Sequence, residues 1–188
     1  MHILIIGAAG MIGRKLTSAL LKSGQVGGKA ISKFTLTDVV EPAKIAFNGD
    51  VTTVVSDVSL PGEAAKLIAS RPDLIFHLAA IVSGEAESDF DKGYRINMDG
   101  MRFLLEAIRQ EGLRAPYLPR LVFTSSIAVF GAPFPEAIGD EFFNTPLTSY
   151  GTQKAICELL LNDYSRKGFV DGVGIRLPTI TIRPGKPN

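Results

Sequence analysis

The sequence predicts an α/β fold built on a doubly wound parallel sheet. Three observations carry that expectation. Short apolar runs of strand length alternate with segments of helical periodicity, the first run passes directly into a glycine-rich turn, and the next two end at aspartates. Strands that alternate with helices are joined by crossovers, which place parallel strands in one sheet with helices packed over it.

His2 to Ile6 is an almost continuous apolar run, as expected of a strand buried on both faces. Met11 to Ser23 has helical spacing, with Ile12, Leu16, Ala19 and Leu20 along one side. Residues 34–37 form a second strand ending at Asp38, and residues 53–55 a third ending at Asp57. A helix over 61–70 starts with proline in its first turn. A strand over 74–78 precedes one long helix over 90–110. A fifth strand at 121–123 runs into Thr124-Ser125-Ser126, a helix covers 150–167, and a sixth strand lies at 173–176. The expected strand order is 3-2-1-4-5-6, with the ligand crevice at the carboxyl ends of the strands. Residues 131–148, with Pro133, Pro135 and Pro146, read as a loop.

A length of 188 residues suits one domain with a substantial core. Lys and Arg total 20 against 19 Asp and Glu, so no charge excess points to nucleic acid or an anionic membrane. The single cysteine, Cys157, rules out an internal disulfide and supplies no metal-ligand cluster. No window is apolar for the length of a bilayer span. Arg14 and Lys15 follow the first apolar run instead of preceding it, the wrong order for a signal peptide. The expectation is a cytoplasmic protein. Residues 1–188 read as one nucleotide-binding domain, with 183–188 (Arg-Pro-Gly-Lys-Pro-Asn) as the start of a linker.

Gly7-Ala8-Ala9-Gly10-Met11-Ile12-Gly13 has the spacing of a dinucleotide turn. Its first glycine permits the tight turn, the second lets backbone approach a pyrophosphate, and the third lets the helix pack against the sheet. The pyrophosphate would face the amides and positive end of the helix, which makes Gly7, Gly10, Met11, Ile12 and Gly13 cofactor-binding candidates. Asp38 is placed to accept from both ribose hydroxyls and would repel a 2′-phosphate, favouring NAD over NADP. Asp57 and Val58 either border the adenine or, in the case of Asp57, cap the next segment.

Tyr150 and Lys154 are four residues apart, hence on one helix face. A free phenol is mostly protonated at neutral pH. A neighbouring ammonium stabilises phenolate, so Lys154 is expected to lower the Tyr150 pKa and make it a general base. Lys154 would also bond the nicotinamide ribose, and Ser126 would hold the substrate oxygen.

Together, GAAGMIG (7–13), TDVV (37–40), HLAA (77–80), the asparagine of RINMDG (95–100), TSSIAVFG (124–131), SYGTQK (149–154) and IRLPT (175–179) resemble the extended short-chain dehydrogenases/reductases of the NAD-dependent epimerase/dehydratase type. The resemblance spans the chain and implies a Rossmann fold. It assigns Ser126, Tyr150 and Lys154 as catalytic, adds Leu78, Ala79, Ala80 and Pro178 to the cofactor contacts, and makes Asn97 a structural or cofactor-facing asparagine. It implies a substrate domain following this one and a homodimer formed through the helices at 90–110 and 150–167. The stretches 81–100 and 176–188 further resemble family members that oxidise the C2 hydroxyl of a four-carbon sugar acid. Phe130 stands where many nucleotide-sugar enzymes of the family have tyrosine.

For a sugar-acid substrate, Arg183 is a candidate partner of the carboxylate, with Ser83 and Thr179 as neutral donors. Arg176 reads as structural, His77 as packed at a strand end, Cys157 as buried and inert, and Glu85, Glu87, Asp89 and Asp91 as a solvated loop. The leading expectation is NAD-dependent oxidation of a sugar-acid alcohol. The alternatives are a nucleotide-sugar epimerase or dehydratase with retained NAD, and a dinucleotide-binding module without catalysis.

Overall fold

The computed structural model describes residues 1–139 and 141–180. Six strands form one parallel sheet: β1 (His2–Ile6), β2 (Lys33–Asp38), β3 (Asp50–Val55), β4 (Leu74–His77), β5 (Arg120–Ser126) and β6 (Asp171–Leu177). Their order is β3-β2-β1-β4-β5-β6, the order expected from the alternation of elements. Ile6 is in register with Thr37 on one side and His77 on the other. The turns that leave β1, β2 and β4 therefore emerge side by side at one edge of the sheet.

β1 is buried along its whole length, and its alternation divides the core in two. Leu4 and Ile6 point toward a cluster with Met101, Leu104, Leu105, Ile108, Phe123, Cys157 and Leu161. Ile3 and Ile5 point to the other side, against Leu20, Phe34 and Leu36. Helix α1 (Met11–Ser23) covers the second cluster. Helices α2 (Glu63–Ile68), α5 (Gly100–Arg114) and α6 (Ser149–Arg166) cover the first. Burying each large apolar side chain contributes roughly 1.5–3 kcal/mol, so this two-sided core is the main support of the crevice edge.

Three features depart from the sequence expectation. A small hairpin pairs Gln25–Val26 with Lys29–Ala30 around Gly27-Gly28. The stretch expected as solvated loop contains α3 (Ser83–Ser88). The long helix expected over 90–110 is three pieces: α4 (Phe90–Gly93), a π-helical turn (Tyr94–Asp99) and α5. After β5 the chain makes a 3-10 turn (Ile127–Val129) and then a loop folded back on itself. There the Thr145 amide donates to the Val129 carbonyl at 2.9 Å, and the rings of Phe130 and Phe142 pack edge to face. Among the described residues no helix is long and apolar enough to cross a membrane.

Candidate active site

The glycine turn separates into two roles. Gly7 has φ +92°, and a Cβ there would stand 2.7 Å from the Ala79 amide nitrogen. A Cβ on Gly13 would stand 2.1 Å from the Gly7 carbonyl oxygen. These two glycines are required by the packing of turn, helix and β4. Gly10 is different: its Cβ would meet only the Gly7 oxygen, at 3.3 Å. Its missing side chain instead leaves the crevice floor bare, which fits the close backbone approach a pyrophosphate needs. No side chain caps α1 at Gly10, so the amides of Met11 and Ile12 are placed for an anion.

Two cavities meet at this turn and share Gly7, Gly10, Leu78, Ala80 and Ile81. The first, about 350 Å³, is walled by Asp38, Val39, Asp57, Val58 and Ala79. The Asp38 carboxylate accepts from the Ala9 amide at 2.9 Å and from its own neighbour Val39 at 2.8 Å, which fixes its direction at the end of β2. Asp57 stands on the cavity wall and also holds the following segment. It lines the cavity, and it accepts from the Ser59 amide and hydroxyl and from the Arg95 guanidinium. Burial pushes its carboxyl upward, but these hydrogen bonds outweigh that and hold it below the ordinary carboxylate value.

The second cavity, about 610 Å³, brings together Met11, Ile12, Ser83, Ser126, Tyr150, Lys154, Pro178 and Thr179. Ser126 ends β5, and its hydroxyl oxygen accepts from the Ala128 amide at 3.1 Å to start the 3-10 turn. α6 lies tight against that turn, because a Cβ on Gly151 would stand 2.1 Å from the Ala128 carbonyl oxygen. The Thr148 hydroxyl caps α6 by accepting from the Gly151 amide at 3.0 Å. One turn further on, Lys154 is 2 % exposed; its ammonium donates to the Thr124 carbonyl at 2.8 Å. Burial pushes the Lys154 pKa down to about 8.

The expected effect of Lys154 on Tyr150 is not present in this state. Burial raises the phenol pKa, and a hydrogen bond with Ser126 only partly offsets it. The ammonium faces Thr124 and the ring of Tyr150 instead of bonding the phenol oxygen. A phenol so placed is protonated at neutral pH unless a further positive charge arrives beside it.

Asn97 takes the structural one of its two expected roles. It lines neither cavity and is 2 % exposed. Its side chain accepts from the Ile81 amide, donates to the Ile81 carbonyl and donates to Gln153 Oε1 at 2.8 Å. It is a clamp behind the crevice wall, and the π-helical turn places it there. The acidic group is exposed to solvent as expected, apart from half-buried Glu85, but it is largely helical and not a loop: Glu85 pairs with Lys92, Asp89 accepts from the Lys92 amide, and Glu87 accepts from Ser149. His77 and Cys157 are buried as expected, with the thiol pushed up to about 12 by burial. Arg176 is structural as expected: it pairs with Glu158, which also accepts from Ser125 beside Ser126 and from Asn144. Arg183 lies outside the described residues. Gln153, Glu158 and Gly151 escaped the sequence reading; a helix pattern alone marks none of them, since each is defined by a partner distant in sequence.

A parallel sheet in this order, with a glycine turn at its first strand and a serine–tyrosine–lysine group on the same crevice, defines a nucleotide-binding domain of the short-chain dehydrogenase/reductase type. The chain belongs to the NAD dependent epimerase/dehydratase family, whose model matches residues 3–181. It is 48% identical to the D-erythronate dehydrogenase of Cupriavidus necator, over 100% of this chain and 58% of that protein. It is 47% identical to the D-erythronate dehydrogenase of Haemophilus influenzae, with the same coverages. The solved structure of a nucleoside-diphosphate-sugar epimerase from Agrobacterium tumefaciens superposes with a TM-score of 0.97 at 69% identity, covering 100% of this chain and 55% of that one. A UDP-glucose 4-epimerase from Brucella ovis, solved in complex with NAD, gives a TM-score of 0.75 at 27% identity over 93% of this chain and 51% of its own. The chain thus spans little more than half the length of these relatives.

Proposed function

We propose that this chain binds NAD along the crevice and forms the cofactor and acid–base half of an oxidoreductase acting on a sugar acid. The reaction is oxidation of a C2 hydroxyl, of the type D-erythronate to 2-dehydro-D-erythronate. One observation carries the reading: Ser126, Tyr150 and Lys154 stand on the wall of the cavity that begins at the glycine turn. The relatives named D-erythronate dehydrogenase support the substrate class. In this reading a further domain beyond residue 188 closes the substrate side, and pairing of two copies involves the outer faces of α5 and α6.

NAD, when bound, supplies the hydride acceptor. Gly10 leaves room for the pyrophosphate, the first-turn amides of α1 bind it, and the Asp38 carboxylate accepts from the adenosine ribose hydroxyls. Tyr150 takes the proton of the substrate hydroxyl at its phenol oxygen, a step worth about 10²–10⁴-fold in rate. Ser126 donates to the same substrate oxygen as it changes from alcohol to carbonyl. Lys154 holds the nicotinamide ribose and keeps a positive charge beside Tyr150. Ser83 and Thr179 offer neutral donors to the rest of a polar substrate. Holding alcohol and cofactor in one pose supplies much of the acceleration.

The test is a panel of sugar acids and nucleotide sugars with NAD and with NADP, using the full-length protein. Steady growth of NADH absorbance with D-erythronate and NAD is the expected result. Conversion of a nucleotide sugar without net NADH would replace this reading with an epimerase, a rival favoured by the similarity to the Agrobacterium tumefaciens nucleoside-diphosphate-sugar epimerase. NAD binding with no turnover on any substrate would leave a binding module.

A further inference from the structure

Helix α3 follows directly from the crevice wall, since Val82 and Ser83 both line the cavity that holds Tyr150. The helix is docked against α6 at two points. Ala86 is fully buried; a Cβ added to the adjacent Gly93 would stand 3.3 Å from its Cα and 2.6 Å from Gln153 Nε2 on α6. Next to it, Glu87 reaches the first residue of α6 across 62 positions of sequence. Its carboxylate accepts from the Ser149 amide at 2.6 Å and from the Ser149 hydroxyl at 3.2 Å. Ser149 immediately precedes Tyr150.

A helix N-terminus carries several amides without helical partners. Thr148 satisfies one of them, at Gly151, from within the same chain segment. Glu87 satisfies another from a different element, with a charge-assisted bond that also suits the positive end of the helix. The two carboxylate contacts fix the direction of the first turn as well as its position.

We infer that Glu87 is a positioning residue for Tyr150: it locks the first turn of α6 to the Val82–Ser83 wall, so that the phenol and the substrate side of the crevice keep one geometry. The inference rests on the reading of Tyr150 as the general base.

The test compares Glu87→Ala and Glu87→Gln with the wild type in the full-length protein. Amide hydrogen exchange is read at Ser149 and Gly151, and turnover is measured with NAD and D-erythronate. In Glu87→Ala, exchange at those two amides speeds up by about ten-fold while the amides of β1 and β2 stay unchanged. Turnover number falls by about ten- to a hundred-fold, the scale of a small misplacement, with the NAD KM held within about two-fold. Glu87→Gln, which keeps one acceptor oxygen, recovers part of both effects. Exchange and turnover equal to wild type would overturn the inference. Equal acceleration of exchange across the whole sheet would also overturn it, because that marks a plain loss of stability. Failure of the underlying reading is told apart by Tyr150→Phe: wild-type turnover in that variant removes the base, while the exchange data still judge the anchor.

Discussion

The Lys154 ammonium lies 5.6 Å from the centroid of the Tyr150 ring and donates to the Thr124 carbonyl, not to the phenol oxygen. Lysine and tyrosine are thus neighbours without a hydrogen bond between them. The sheet carbonyl sets where the charge sits, and the phenol bonds Ser126 on the same crevice wall.

The first expectation is a pH profile. The ligand-free phenol has a raised pKa and keeps its proton at neutral pH; the positive charge of bound NAD beside it lowers that pKa, so kcat/KM for alcohol oxidation at saturating NAD climbs with pH through the neutral range. The lysine, pushed down to about 8, carries its charge below that pH and loses it above. Lys154→Met therefore shifts the rising limb to higher pH, and Tyr150→Phe abolishes it with a fall in kcat of about 10²-fold or more. A rising limb left in place by Lys154→Met would show that the ammonium has no part in setting it.

The two kinds of glycine respond differently to one methyl group. Gly13→Ala drives a Cβ into the Gly7 carbonyl and destabilises the fold by about 2 kcal/mol or more. Gly10→Ala changes the melting temperature little but weakens NAD binding by about ten-fold or more, because its Cβ enters the pyrophosphate path. Calorimetric NAD titration beside thermal unfolding checks both; unchanged NAD affinity in Gly10→Ala contradicts the cradle.

Asn97→Ala strips the Ile81 amide and Gln153 Oε1 of a partner. Each orphaned buried group costs about 1–3 kcal/mol, so urea unfolding records a stability loss of at least about 2 kcal/mol. A residue that merely touched the cofactor would show the reverse pattern, with weaker NAD binding on an equally stable protein.

His77 makes the fold acid-sensitive. Burial, with a smaller contribution from the Lys154 charge, pushes its pKa down to about 3, and Nδ1 has no hydrogen-bond partner among the described residues. Between about pH 3 and 6.5 the unfolded chain binds more protons at this ring than the folded one, so stability is present above that window and declines as the pH drops through it. His77→Leu, which removes a nitrogen without a partner, loses less stability than wild type between pH 7 and pH 4.5. Parallel urea curves at the two pH values measure the difference, and equal losses in both proteins count against it.

The strand order was legible because β1, β2, β4 and β5 are apolar runs of the right length, and the glycine spacing announced the turn at β1. Tyr150, Lys154 and Ser126 were legible because i, i+4 spacing and a strand end need no tertiary knowledge. The π-helical turn was not: polar and apolar residues continue through it at near-helical spacing, so 90–110 reads as one helix and the sequence leaves Asn97 open between a structural and a cofactor-facing place. α3 was hidden by composition, because Ser-Gly-Glu-Ala-Glu-Ser is polar and is held by contacts to Lys92 and Ser149 made after folding. The phenol pKa was misjudged for a related reason. Spacing places an ammonium near a ring, but only the fold reveals that Thr124 has already claimed it.

The first cavity is built wholly from residues 6–96, while the reacting groups of the second, at 126, 150 and 154, all come from later in the chain. Such a division of labour lets inheritance act on the two ends separately. Replacements after Ile96 can retool the chemistry for a new alcohol while the first cavity is passed on unaltered, which gives one physical route by which a single scaffold yields both epimerases and dehydrogenases.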